Sequence, residues 1–352
     1  MDSIKIHKFK SIEDAEIDLR PINILIGANG SGKSNFLSFF EFLNNLYERK
    51  LTEYIALNGG EDKFLHHGPK VSDLITAQLL FNNKRDGYSF GLKKGVNGLI
   101  FQFESVMLNL GVDNSISTHE KESNLKISNN VLADFILDYL KGLKKYHFHD
   151  TGKNSPFNKT SHIPNDTFFL YEKGDNLAAF LYDIQQKHRI IYNRIIKTIQ
   201  SIAPYFSDFF LQPNTEGYLR LFWQDKYSST VYGATDLSDG TIRFIALTVL
   251  FMQPNLPQTI IIDEPELGLH PFALSKLAGM IKSAAGKGTQ VIVATQSTDL
   301  LSYFEPDDII AVDQRNGASV FNRLKQEELE IWLNDYSLGD LWKRNIITEG
   351  QP

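Results

Sequence analysis

Cysteine is absent from the 352 residues, and that absence excludes disulfides, thiolate zinc sites and cysteine nucleophiles together. An excess of charge of one sign is also lacking. The chain sets 36 Lys and Arg against 42 Asp and Glu, a formal net of −6, so it exerts no global pull on nucleic acid, and only a local basic patch could do so. The cluster Lys141, Lys144 and Lys145 is explained as well by a solvated helix face as by a phosphate track. Long apolar runs are missing, since nothing approaches the roughly 20 residues that cross a bilayer. Residues 1–10 alternate like a strand instead of forming the apolar core of a signal peptide. The expectation is a soluble, cytoplasmic protein with no membrane insertion. Internal repeats, low-complexity tracts and sustained heptads are absent as well, which argues against solenoids and coiled-coil arms.

What is present is a large apolar inventory. Hydrophobic residues make up 42% of the chain, with 25 Phe and 14 Tyr, enough to offset the entropy of folding one large domain or two modest ones. Alternation and apolar runs predict strands at 4–9, 17–19 and 22–26, then a helix over 33–47 whose Phe36, Leu37, Phe40, Leu43 and Leu46 recur at helical spacing. Strands are expected near 74–81, 88–92 and 99–103, a helix at 131–143, and helical spacing over 176–202. Towards the C-terminus the pattern sharpens into a buried strand at 260–262, a helix at 271–285, a second buried strand at 291–294 and a strand pair at 309–312 and 319–324.

Gly27-Ala28-Asn29-Gly30-Ser31-Gly32-Lys33-Ser34 matches G-x-x-x-x-G-K-S in every required place. Successive backbone N–H groups, freed of side chains at the glycines, can wrap a β-phosphate, and the following helix adds its positive end. Lys33 is then placed for the β- and γ-phosphates, and the Ser34 hydroxyl for Mg²⁺. A strand entering the loop and an amphipathic helix leaving it disfavour a chance glycine turn. The run 260–262 ends in Asp263 and Glu264. Asp263 suits a water-mediated Mg²⁺ contact and Glu264 suits polarising an attacking water. Alone, such a pair is equally an ordinary turn after a buried strand.

Leu237-Ser238-Asp239-Gly240-Thr241 precedes a helix with Arg243 in its first turn. A Ser there is ordinarily just an N-cap. The order phosphate loop, L-S-x-G, Asp-Glu, however, is the ABC arrangement. In that arrangement Ser238 and Gly240 face the γ-phosphate held by a second subunit, so ATP joins two copies through composite sites.

The residues also carry a family resemblance. Ile6–Ser11, as I-H-K-F-K-S, followed by I-L-I-G-A-N-G-S-G-K-S-N, resembles the opening of RecF, SMC and OLD-type ATPases. L-S-D-G-T-I-R-F-I-A-L (237–247), D-E-P-E-L-G-L-H-P (263–271), A-T-Q-S (294–297) and W-L-N-D-Y-S-L-G-D-L-W (332–342) resemble bacterial stand-alone ATPases labelled AAA, whose motifs are ABC-like. The resemblance spans the chain and implies an α/β fold, a P-loop NTPase head of the ABC/RecF-like kind with a mixed α+β inserted lobe and no coiled-coil arms. The implied division is 1–104 and 233–352 as the two parts of the ATPase domain, with 105–232 inserted. The implied ligands are ATP and Mg²⁺. The implied nucleotide contacts are Asn29, Gly30, Ser31, Gly32, Lys33, Ser34 and Asn35, with Lys10 and Ser11 near the ribose or phosphates. Where ABC proteins usually carry a switch His, this chain has Gln296, which can donate a hydrogen bond but cannot carry a proton or charge. Glu264, Lys33 and Gln296 are the expected catalytic set.

His147, His149 and Asp150 form H-x-H-D, readable as a metal site, but a metal needs more ligands than this triplet guarantees. A structural contact between the insertion and the nucleotide domain is the favoured reading. Trp332, Tyr336 and Trp342 are expected to anchor a C-terminal helical cap. Three functions compete: an ATP-dependent homodimer switch acting on DNA or RNA, an ATPase subunit controlling a separate effector protein in a defence or toxin system, and a non-hydrolysing ATP-dependent dimerisation module. An intact Glu264 speaks against the last.

Overall fold

The computed structural model describes residues 1–96, 98–109, 111, 114–128 and 130–348. The chain divides into two compact units. One comprises Met1–Lys145, Gln258–Ile261 and the chain from Ile292 on, and the other comprises Tyr146–Pro257 and Ile262–Val291.

The first unit holds one six-stranded sheet, which is antiparallel, and most residues of a second six-stranded sheet. The antiparallel one runs in the order Ile12–Asp18, Ser3–Phe9, Leu74–Phe81, Asp86–Gly95, Gly98–Met107, Asn114–Ser117. Its strands alternate as a half-solvated sheet requires, with Ile4, Ile6 and Phe9 buried and Lys5 and His7 turned outward. The other sheet has the order Ala318–Arg323, Ile309–Arg315, Ile22–Ile26, Gln290–Ala294, Thr259–Asp263, Leu143–Tyr146. Ile22–Ile26 is buried at every position, the signature of a strand covered on both faces. Ile309–Arg315 runs parallel to it, and Ala318–Arg323 closes an antiparallel hairpin at the edge.

One apolar core joins these sheets through the helix Lys33–Tyr47, which buries Phe36, Phe39, Phe40, Phe42, Leu43 and Leu46. Phe39 meets Phe9 edge-on with ring centroids 5.2 Å apart, a geometry that adds to simple burial. The helix following the phosphate loop is therefore fixed by core packing, and its first turn inherits that rigidity.

The helix expected at 131–143 stops at Lys141, because Gly142 caps it and Leu143–Tyr146 leaves as a strand, with Gly142 O accepting from Thr259 N at 3.0 Å. The strand Gly98–Met107 and its neighbour Asn114–Ser117 extend the antiparallel sheet into a stretch too polar and broken to read from pattern.

In the second unit, the helical run over 176–202 is two helices, Leu177–Lys187 and Arg189–Ile202, broken at His188 with φ −131° and ψ 53°. The helix Asp239–Met252 buries every residue from Ile242 to Phe251, the pattern of a core helix, and packs against Pro271–Gly286 and Arg189–Ile202. A three-stranded sheet, Phe206–Phe209, Phe222–Asp225 and Val231–Gly233, completes this unit with the short pair Tyr218–Leu219 and Ser161–His162.

Among the described residues the longest helix has 16 residues, Pro271–Gly286, too short for a coiled-coil arm. None of the described helices is long and apolar enough to cross a membrane. Of the expected aromatic anchors only Trp342 is in the core. Trp332 is 45% exposed, and Tyr336 lies under the Arg344 guanidinium at 4.5 Å, because the helix Gln326–Leu333 buries only Leu329.

Candidate nucleotide site

In the first unit, Ile22–Ile26 delivers the chain into the glycine loop and Gly32 turns it into the helix. Gly32 is the N-cap, with φ +114°, a conformation that L side chains rarely adopt. A Cβ there would also lie 1.9 Å from Ser319 Oγ. Lys33 is buried and its ammonium donates to Gly27 O at 2.6 Å and Ala28 O at 3.0 Å. Ser31 Oγ is buried without a hydrogen-bond partner, which costs about 1–3 kcal/mol in a closed site. An anion seated in the loop would relieve that cost. Asn29, Gly30 and Ser34 are exposed and Asn35 is half-buried.

The turn carrying Lys10 and Ser11 is tied to this loop. Ser11 Oγ accepts from Asn35 Nδ2 at 2.8 Å and from Ser319 Oγ at 2.7 Å. Lys10 has φ +49°, and its Nζ donates to Ser38 Oγ at 2.8 Å while lying 5.2 Å from the Phe64 ring centroid. Burial lowers the pKa of this ammonium, partly opposed by Glu41. A cavity of about 480 Å³ opens beside it, lined by Lys10, Ser11, Asn35, Asn58, Phe64 and His67 among others. Gln296 stands at the end of the strand Gln290–Ala294. The preceding Thr295 donates its N–H to Leu25 O at 3.0 Å, pinning this strand end to the strand that feeds the loop. The structure thus brings Lys10, Ser11, Asn35 and the loop together, and anchors Gln296 to the same sheet.

In the second unit, Ser238 caps the helix Asp239–Met252, accepting from Thr241 N at 3.2 Å, and is exposed. Gly240 lies so close to the loop after the acid pair that a Cβ would be 2.2 Å from Gly268 O. Asp263 ends its strand and Glu264 follows with φ +41°, left-handed backbone that costs a non-glycine residue about 1–3 kcal/mol.

Sequence reasoning missed the hub of this arrangement. Arg243 donates through Nε to Phe148 O at 3.1 Å, through Nη2 to His149 O at 3.2 Å, and through Nη1 to Leu267 O. Desolvation lowers its pKa, opposed by Asp239. His149 Nε2 lies 2.8 Å from Asp263 O. A carbonyl can only accept, so Nε2 carries the proton. The H-x-H-D segment therefore braces the acid strand, and no group of three His, Asp or Glu among the described residues is arranged to hold a metal. A charged residue inside an otherwise apolar helix was the available signal for Arg243.

The comparisons agree with this architecture. Residues 22–302 match the family described as "AAA domain, putative AbiEii toxin, Type IV TA system". The "Old nuclease" of Escherichia phage P2 is 21% identical over 372 aligned positions covering 93% of this chain, which spans 61% of that relative's length. Among solved structures, an SMC head bound to the C-terminal winged-helix domain of ScpA superposes with a TM-score of 0.63 at 18% identity, covering 94% of this chain and 99% of that one. The SMC head of Thermotoga maritima gives 0.52 at 14% identity, covering 92% and 98%. A Pyrococcus furiosus SMC head with an extended coiled coil, bound to the C-terminal domain of ScpA, gives 0.57 at 14%, covering 95% and 98%. With some four-fifths of its length inside the family match, the chain belongs to this AAA-domain family, and the solved structures show that it shares the fold of the SMC heads.

Proposed function

We propose that the protein binds and hydrolyses Mg-ATP in two composite sites of an ATP-joined homodimer, and that this dimer is a switch acting on DNA or RNA. The observation that carries the nucleotide reading is the buried, unpartnered Ser31 hydroxyl inside a loop whose lysine sits on the loop's own carbonyls. Phosphate oxygens satisfy that hydroxyl and draw the Lys33 ammonium away from Gly27 and Ala28. The backbone N–H groups of Gly30–Ser34 cradle the β-phosphate at the helix start. The base and ribose take the cavity beside Lys10, Ser11 and Asn35.

Mg²⁺ suits this donor set, because it takes few protein ligands and fills its shell with waters and phosphate oxygens. Ser34 and Asp263 would hold it, and it would offset the charge that develops on the transferred phosphoryl group. Glu264 orients and polarises the attacking water, and its positive φ is the kind of strain that persists where geometry matters. Gln296 donates its amide N–H to the γ-phosphate. It neither accepts nor supplies a proton, so turnover is slow. Ser238 and Gly240 of a second copy close the site over the γ-phosphate.

Glu264→Gln tests the whole reading. The variant is expected to keep ATP affinity, lose roughly a hundredfold or more in turnover, and double its mass in solution only with Mg-ATP. A variant that binds ATP and stays the same size would remove the trans role of Ser238 and Gly240. A second reading, control of a separate effector protein, is favoured by the family description, which names a toxin system. Nucleic-acid binding that strengthens with ATP and weakens steeply with salt supports the first reading, and salt-independent capture of a protein partner supports the second.

A further inference from the structure

We infer that the C-terminal helix Leu338–Lys343 is a clamp that positions Gln296, an inference that rests on Gln296 acting as the γ-phosphate donor. Gln296 is held on both sides by the backbone. Thr295 N donates to Leu25 O at 3.0 Å, and Ser297 N donates to Thr295 Oγ1 at 2.9 Å. Ser297 then caps the short helix Thr298–Leu301 by accepting from Leu300 N at 3.0 Å. Gln296 therefore sits between a strand end pinned to Leu25 and the cap of Thr298–Leu301, so a shift of that helix turns Gln296 about the fixed strand end.

The C-terminal helix sets that placement. A Cβ on Gly339 would lie 2.3 Å from Thr298 O and 2.7 Å from Ser302 Oγ, so the two backbones touch at a spacing that only glycine permits. Ser302 Oγ donates to Thr298 O at 2.9 Å and lies 3.3 Å from Ser337 Oγ. Ser337 is itself locked, donating through Oγ to Asp340 Oδ2 at 2.6 Å and accepting from Asp340 N at 3.2 Å. Leu341 and Trp342 are fully buried, which fixes the helix to the core. The S-L-G-D run of the tail thus provides a fixed seat for the segment that begins two residues after Gln296. Gly339 is a positioning residue. It acts through Thr298 and Ser297, and its substitution moves a donor that must meet the γ-phosphate within a fraction of an ångström.

The test is steady-state ATP hydrolysis by the full chain for Gly339→Ala, Gln296→Ala and the double variant, with ATP affinity measured separately by fluorescent-nucleotide titration. Gly339→Ala is expected to lower kcat by about tenfold or more and to leave ATP affinity within roughly twofold, since the phosphate loop is not displaced. In the Gln296→Ala background the same substitution is expected to cost nothing further, because two residues that act as one unit are non-additive. Ser302→Ala adds no volume and is expected to show the same split in smaller measure, which covers the case of a poorly folding Gly339→Ala. Equal, additive losses in both backgrounds, or unchanged kcat in both Gly339→Ala and Ser302→Ala, overturn the clamp. Wild-type turnover in Gln296→Ala overturns instead the donor role on which the clamp rests.

Discussion

Lys33 spends its charge on two carbonyls of its own loop, Gly27 O and Ala28 O, so the loop is pre-shaped around a cation that an anion can share. Removing the ammonium removes a charge-assisted contact of about 1.5–3 kcal/mol. Lys33→Ala should therefore weaken ATP binding by about tenfold to a hundredfold, read by titration with a fluorescent nucleotide. Unchanged affinity would defeat the assignment of this loop. At this scale the sequence was informative where a motif fixes spacing, as from Gly27 to Ser34, since eight contiguous residues carry their own geometry. It was silent where partners are far apart. Ser319 meets Ser11 across 308 positions, and no local pattern marks a serine on an edge strand as a neighbour of the phosphate loop. Arg243 had a signal, a charge among apolar residues, but its three carbonyl partners belong to loops whose course only folding decides.

Elements with a strong period were legible: the helix Lys33–Tyr47 and the strands Ile22–Ile26 and Leu74–Phe81 fall where their apolar spacing puts them. The polar stretch after Met107 was not, because side chains from elsewhere hold it. Glu122 caps the helix Leu51–Leu57 from a distance, accepting from Leu51 N at 3.0 Å and Thr52 N at 2.9 Å. Arg49 donates to Ser123 O at 2.7 Å. Beneath this strap the fully buried Glu104 accepts from Tyr88 Oη at 2.6 Å, from Asn124 N at 3.0 Å and from Ser123 Oγ. Desolvation raises its pKa above the ordinary 4.5, outweighing the opposing hydrogen bonds from Ser123, Tyr88 and Asn124. A raised folded pKa means that the native state holds more protons than the unfolded chain in the window just above pH 4.5. Stability from this group is therefore full below that window and falls as pH rises through the folded pKa. The slope is at most about 1.4 kcal/mol per pH unit. Glu104→Gln cannot ionise and should flatten that part of the profile, measured as urea midpoints from mildly acid to neutral pH. Parallel profiles for variant and wild type would rule out Glu104 as the titrating group.

At the scale of the molecule, the glycine loop and Gln296 belong to one compact unit, and Ser238, Gly240 and Glu264 belong to the other. If two copies meet through ATP with two-fold symmetry, the sites are composite, and each pairs the loop of one chain with the Ser238 segment of its partner. Ser238 is exposed and Gly240 is held against Gly268 O, so this segment is presented as a rigid surface, and Ser238→Arg blocks it while removing one helix cap, worth about 1 kcal/mol. Ser238→Arg alone should bind ATP and fail to turn it over, and Lys33→Ala alone should bind ATP about tenfold to a hundredfold more weakly and fail to turn it over. A mixed dimer of the two puts both lesions in one site and leaves the other site with an intact loop and an intact Ser238. Equal mixing makes about half of all dimers mixed, each with one working site, so turnover should recover to about a quarter of wild type. Recovery is the outcome that a site contained within one chain cannot give, because neither variant has a complete set of its own residues. If the mixture stays as inactive as its components while wild type hydrolyses ATP under the same conditions, each chain completes its own site, and the dimer has to be explained without shared catalysis.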